Sequence, residues 1–321
     1  MCVRATVVGA GSAQPVRVRA RRLGALRGDA RSDGRCLAQI CRAEGPDLAR
    51  TRAAADLCQA PYVADAPLGC PVADAGASSP AGAKATSDLV VDLGSGVTME
   101  FVEIPPGTFT MGSNAGADWE KPPHSVTISS KFDLARYEVS QGQWRAVMGR
   151  SRGNSAAESE PVVEVSWYDC QEFLEKLNKK IGGTRFVLPS EAQWEYACRA
   201  GTTTKWCCGD DEGTLRGFAW YAEIGAPTTH PIGREAPNAW GLYDLHGNVW
   251  EWCEDSWHDS YAGAPKDGGA WVDAGSSERV FRGGSGRSQA AFTRSSARGG
   301  TAPEITAADV GLRVARLITG K

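Results

Sequence analysis

Asn238-Ala-Trp-Gly-Leu-Tyr-Asp-Leu-His-Gly-Asn-Val-Trp-Glu-Trp252 packs three tryptophans, two glycines, two asparagines, an aspartate and a glutamate into fifteen residues. The rings supply large buried area, while glycines permit tight turns and close backbone approach. Asp244 and Glu251 add hard oxygen ligands beside backbone carbonyls, the donor chemistry that suits calcium. The stretch therefore reads as a buried loop, clipped by a metal, at the centre of a fold poor in regular structure. The competing assignment has Asp244 capping a turn and Glu251 pairing with an arginine.

Working outward, the load along the 321 residues is uneven. All eleven tryptophans lie at or after Trp119, and Tyr62 is the only aromatic residue before Phe101. Residues 1–52 hold eleven arginines against four acids, although the whole chain carries −3. No aromatic residues interleave with those arginines, so nucleic-acid binding is not expected and a solvated, low-order leader is. Small residues over 72–87 read as a linker. The expected organisation is an Arg/Ala-rich leader and linker, 1–87, followed by one domain, 88–321. No apolar run reaches the ~18 residues of a membrane span. A clean secretory signal is missing as well, which leaves the compartment open.

Within the domain, alternation around Pro105-Pro106-Gly107 predicts two strands joined by a turn, with Val126–Ile128 continuing the sheet. Ser140-x-x-Gln143 and Ser190-x-x-Gln193 are capping boxes that open helices, and Ser166 precedes an apolar stripe at Trp167, Cys170, Phe173, Leu174 and Leu177. Gly149, Gly182-Gly183 and Gly201 stop the three. Further strands are expected at Arg279–Arg282 and Gly311–Leu317. These elements give an α+β, loop-rich domain.

Seven segments in one order carry a resemblance: Phe101–Gly112, Tyr137–Trp144, Pro161–Trp167, Leu188–Gly201, Asn238–Trp252, Arg282–Ser285 and Val310–Val314. Together they resemble the formylglycine-generating enzyme, or sulfatase-modifying factor, family, whose fold is a variant of the C-type lectin fold. The resemblance implies a structural calcium held by the carboxylates of Asp244 and Glu251 and the backbone carbonyls of Gly247 and Val249. It also places Trp250, Ser285 and Arg298 near the groove in which relatives bind substrate.

The same resemblance implies two cysteines after Arg-Gly-Gly-Ser that bind copper(I) and activate oxygen against a substrate cysteine. Here no cysteine follows Cys253, and hydroxyls such as Ser288 and Thr293 stand in that region. Copper(I) selects thiolate over hydroxyl, so neither copper nor formylglycine formation is expected. The iron-dependent sulfoxide synthases that share a related domain need a His-x3-His-x-Glu motif. The four histidines, His124, His230, His246 and His258, do not make one. No nucleophile elbow, phosphate loop or dinucleotide fingerprint occurs.

Three functions remain open: a monomeric domain that binds a peptide or small ligand, an enzyme of altered chemistry acting in maturation of a client protein, and a lectin-like variable display scaffold. Of the cysteines, Cys170 and Cys198 read as buried apolar residues, and Cys207-Cys208 as either a reactive pair or an accident. The acidic run Asp210–Glu212 reads as a solvated turn.

Overall fold

Three serines start the three main helices, and each does so through a reciprocal cap. In the computed structural model, which describes residues 88–318 except 154–156, 184 and 225–226, helix α1 spans Gln141–Met148, α2 Trp167–Ile181 and α3 Glu191–Arg199. The hydroxyls of Ser140, Ser166 and Ser190 accept from the backbone N–H three residues on, and Gln143, Asp169 and Gln193 reach back to the serine N–H. Gly149 ends α1 at φ +74°. Ala200 ends α3 at φ +45°, one residue before the glycine the sequence pointed to. Ser190→Ala is expected to cost about 1 kcal/mol of stability in a denaturant titration.

The five apolar residues of the α2 stripe are all buried, and Phe173 stacks on Trp144 of α1 at 5.1 Å. Leu93, Met99, Phe101 and Phe186 belong to the same core, which joins these helices to a five-stranded antiparallel sheet. That sheet runs β1 (Asp88–Gly94), β2 (Val97–Ile104), β5 (Phe132–Ala135), β11 (Ala315–Leu317) and β6 (Arg185–Val187) in spatial order. A two-stranded ribbon pairs β3 (Gly107–Met111) with β4 (His124–Ile128). The Pro105-Pro106 turn therefore joins strands of two different sheets; two residues without N–H groups do not close a ladder between them.

The third sheet has the order β10 (Val310–Gly311), β7 (Trp250–Ser256), β8 (Arg279–Arg282), β9 (Arg298–Thr301), with β10 and β7 parallel. The single strand expected over Gly311–Leu317 is two strands in two sheets. Leu312, Arg313 and Val314 between them are each 0% exposed, which a strand alternating between core and solvent does not allow, and Arg313 turns inward to meet Glu251. A short helix, α4 (Glu212–Leu215), is capped by Asp211, so the acidic run is an exposed turn. Among the described residues no helix is long and apolar enough to cross a membrane. The leader and linker readings for 1–87 lie outside the described residues.

Candidate functional site

The loop that feeds β7 is built on unusual backbone. Asp244 and Asn248 adopt φ +62° and +60°, and Gly247 sits at +135°. A Cβ at Gly247 would run into the Trp220 carbonyl oxygen, which accepts the Asn248 N–H at 2.9 Å. Asp244 Oδ2 accepts the Gly233 N–H at 2.7 Å, whereas its Oδ1 is buried without a partner. Glu251 receives Arg313 through Nε at 3.0 Å and Nη2 at 2.6 Å, together with the Trp194 indole N–H at 2.7 Å. The remaining Arg313 donors go to the carbonyls of Ala135, Arg136 and Tyr243.

Glu138, in the Tyr137–Trp144 segment and without a sequence signal of its own, completes the centre. It accepts from Asn248 Nδ2 at 2.6 Å and from the Val249 N–H at 3.1 Å. Three buried carboxylates, Glu138, Asp244 and Glu251, thus lie in the field of one guanidinium, that of Arg313, which bonds Glu251 alone among them. Burial pushes the Asp244 pKa up to about 6. Burial, with Asp244 and Glu251 nearby, pushes Glu138 well above the usual carboxylate range. Charge balance calls for protons or for a cation of charge two, and the orphaned Asp244 Oδ1 is a hard donor. Among the described residues no group of three or more His, Cys, Asp or Glu side chains could by itself hold a metal ion. A calcium here needs backbone carbonyls in its shell, as the loop pattern implies. Both contacts of the competing assignment are present too: Asp244 fastens a turn and Glu251 pairs with Arg313.

A second charged centre explains why glutamates four apart on α3 and the Arg-Gly-Gly-Ser arginine occur together. Glu191 and Glu195 share one helix face. Glu195 pairs with Arg282 and, at 2.8 Å, with Arg199. Glu191 takes Arg298 in two parallel bonds of 2.6 and 2.7 Å and the Tyr261 hydroxyl at 2.9 Å. Burial would lower the Arg282 pKa, but the surrounding Tyr261, Glu195 and Glu191 raise it. Arg282 also donates to the carbonyls of Ser295, Ser296 and Ala297, so it pins the end of the segment after Ser285 to α3.

The three groove residues expected from sequence do not form one surface. Trp250 is 2% exposed, packs edge-on against Phe281 and leaves its indole N–H without a partner. Its backbone N–H meets the Asp309 carbonyl at 2.8 Å, and the fully buried Ser285 donates to Asp309 Oδ2 at 2.8 Å. Those two therefore converge on Asp309, which sequence reasoning missed. Arg298 belongs instead to the Glu191 centre, with its guanidinium over Trp257 and Tyr261.

Between Ser285 and Arg298 the exposed residues are Arg287, Gln289 and Ala291. Ser288 Oγ accepts the Ser285 N–H and lies 3.1 Å from the Ser285 hydroxyl. Thr293 Oγ1 donates to the Ala290 carbonyl and accepts from the Trp206 indole. His246 is buried, 2.8 Å from the Thr293 carbonyl through Nδ1, while its Nε2 accepts the Cys207 N–H at 3.0 Å. Burial lowers its pKa to about 4, so it is a neutral, packed loop residue.

Residues 93–318 match the family described as sulfatase-modifying factor enzyme 1-like domain. The chain is 29% identical over 238 residues to the formylglycine-generating enzyme of Streptomyces coelicolor, covering 70% of this chain and 68% of that protein. Among solved structures it is similar to PvdO from Pseudomonas aeruginosa, with TM-score 0.67 and 32% identity over 74% of this chain and all of that one. It is also similar to Treponema denticola variable protein 1, with TM-score 0.65 and 29% identity over 72% of this chain and 99% of that one.

Proposed function

Because the chain belongs to the sulfatase-modifying factor enzyme 1-like domain family, we propose that it keeps the family's calcium-stabilised scaffold and binds a peptide or small ligand without copper-dependent oxidation. The observation that carries this reading is the state of the two hydroxyls after Arg-Gly-Gly-Ser. Ser288 and Thr293 are tied into local hydrogen bonds, and hydroxyl oxygen is too hard and too weakly acidic to hold copper(I).

The ligand would meet Arg287, Gln289 and Ala291 first, with Ser285, Asp309 and Trp250 forming the wall behind them. A cationic Arg287 at that mouth favours an anionic or carboxylate-bearing partner. Calcium would be held by Asp244, Glu251 and the carbonyls of Gly247 and Val249, and would supply charge balance rather than chemistry. A variable display surface is less well supported, since nine of the fourteen residues from Ser285 to Arg298 are buried and only three are exposed.

The test is direct. The purified chain is incubated with copper(I), oxygen and a Cys-x-Pro-x-Arg peptide, and aldehyde is measured. No aldehyde above the protein-free blank is the expected result. Turnover by the protein would overturn the reading in favour of an enzyme with other catalytic groups.

A further inference from the structure

The segment Thr203–Asp211 carries two adjacent cysteines and packs against the chain that follows Arg-Gly-Gly-Ser. Trp206 and Gly209 exchange both backbone hydrogen bonds at 3.1 Å, closing a two-residue turn with Cys207 and Cys208 at its corner. Gly209, at φ +121°, supplies the backbone conformation that lets the chain leave the turn. Both cysteines are free and only partly buried, unlike Cys170, Cys198 and Cys253, which are sealed in the core. Adjacent at the corner of one tight turn, the two thiols are neighbours by construction of the backbone. The turn packs on the segment that follows Arg-Gly-Gly-Ser: Trp206 donates to Thr293 Oγ1 at 3.1 Å, and Cys208 lies in one apolar cluster with Trp206 and Ala290.

We propose that Cys207 and Cys208 are a redox-active dithiol that closes to a vicinal disulfide by exchange with small-molecule disulfides. Cys208 thiolate attacks one sulfur of the disulfide R–S–S–R, so that a Cys208–S–S–R bond forms as the original S–S bond breaks and one thiolate leaves. Cys207, once deprotonated, attacks the Cys208 sulfur, forming the Cys207–Cys208 bond and expelling the second thiolate. The protein gives up two electrons and two protons, and the small disulfide becomes two thiols.

The order of attack follows from the environment. Interaction between the neighbouring thiols lowers the pKa of Cys208, while the same interaction and burial raise that of Cys207. Adjacent residues across a trans peptide have Cα atoms about 3.8 Å apart, below the ~4.4 Å at which ordinary disulfides begin. A bridge between them is strained, so it is a labile, reversible bond rather than a structural staple. This inference is independent of the ligand reading, because it concerns thiols outside the proposed groove.

The experiment equilibrates the reduced full-length chain in glutathione redox buffers, then alkylates free thiols and maps peptides by mass. The expected product is a peptide containing Cys207 and Cys208 that has lost two hydrogens, with Cys170, Cys198 and Cys253 alkylated after unfolding. In C207S a stable glutathione adduct should accumulate on Cys208, and C208S should react at least tenfold more slowly. A trivalent arsenical, which bridges neighbouring thiols, should protect both residues of the unsubstituted protein from alkylation; this readout does not depend on how the variants fold. A bridge from Cys207 to any residue other than Cys208, a stable adduct on the unsubstituted protein, or absence of both oxidation and arsenical protection would overturn the proposal.

Discussion

Arg282→Met is expected to destabilise the domain by about 3 kcal/mol, the cost of taking one of two guanidinium partners from buried Glu195 and freeing three carbonyls. Arg282 and Glu195 are both 0% exposed at their side chains, and Glu191 is nearly so. Removing the guanidinium takes away the Glu195 pair and three carbonyl contacts at Ser295, Ser296 and Ala297. Arg282→Lys is expected to recover little of the loss, since a single ammonium does not reproduce a planar fork directed at four acceptors. Urea titration of both variants checks this, with the change read at the midpoint and the slope held constant. Two variants within 1 kcal/mol of the parent would mean that the centre tolerates uncompensated charge and does not lock the segment to α3.

The second large effect is expected at Asp244. Its folded pKa of about 6 lies above the ordinary aspartate value of 3.8, so the native state binds more protons than the unfolded chain between those values. Stability from that group is therefore full below pH 4 and falls as pH rises through about 6. At about 1.4 kcal/mol per unit, the loss is on the order of 3 kcal/mol in the metal-free protein. Asp255, raised to about 7 chiefly by burial and then by Glu191, adds a loss of the same sign. Calcium at Asp244 would hold the carboxylate ionised and cancel its part of the decline.

At pH 7.5 we therefore expect chelation to lower the melting temperature, with about 2.7 kcal/mol at stake when calcium is a hundredfold above its dissociation constant. Asp244→Ala, which removes the oxygen donor as well as the charge, should make the pH profile shallower and abolish the calcium response. The same substitution at Asp255 should leave that response intact. A melting temperature indifferent to chelation would leave protonation of Asp244 and Glu138 as the way this centre balances its charge.

Local patterns in the chain translated into structure where the determining forces are themselves local. The capping serines, the α2 stripe and Gly149 each act within four residues, and all formed as read. Strand β7 escaped notice because six of its seven residues are buried, and a central strand with no solvent face shows no alternation. Gly311–Leu317 reads as one strand for a related reason: Arg313, which turns into the core, has the spacing of an outward polar position. Glu138 and Asp309 carried no local signal at all, since each matters through partners more than twenty residues away.

The capped starts of three helices and the lack of thiols after Cys253 were decided by the order of residues alone. Side-chain chemistry, backbone torsion preference and neighbour spacing need no fold to act. Which carboxylates gather around Arg313, which arginine clamps α3, and the packing of the Trp206 turn against Thr293 were settled only by tertiary structure. Electrostatic pairing inside a low-dielectric core depends on distance in space and on exclusion of water, and neither quantity is written along the chain.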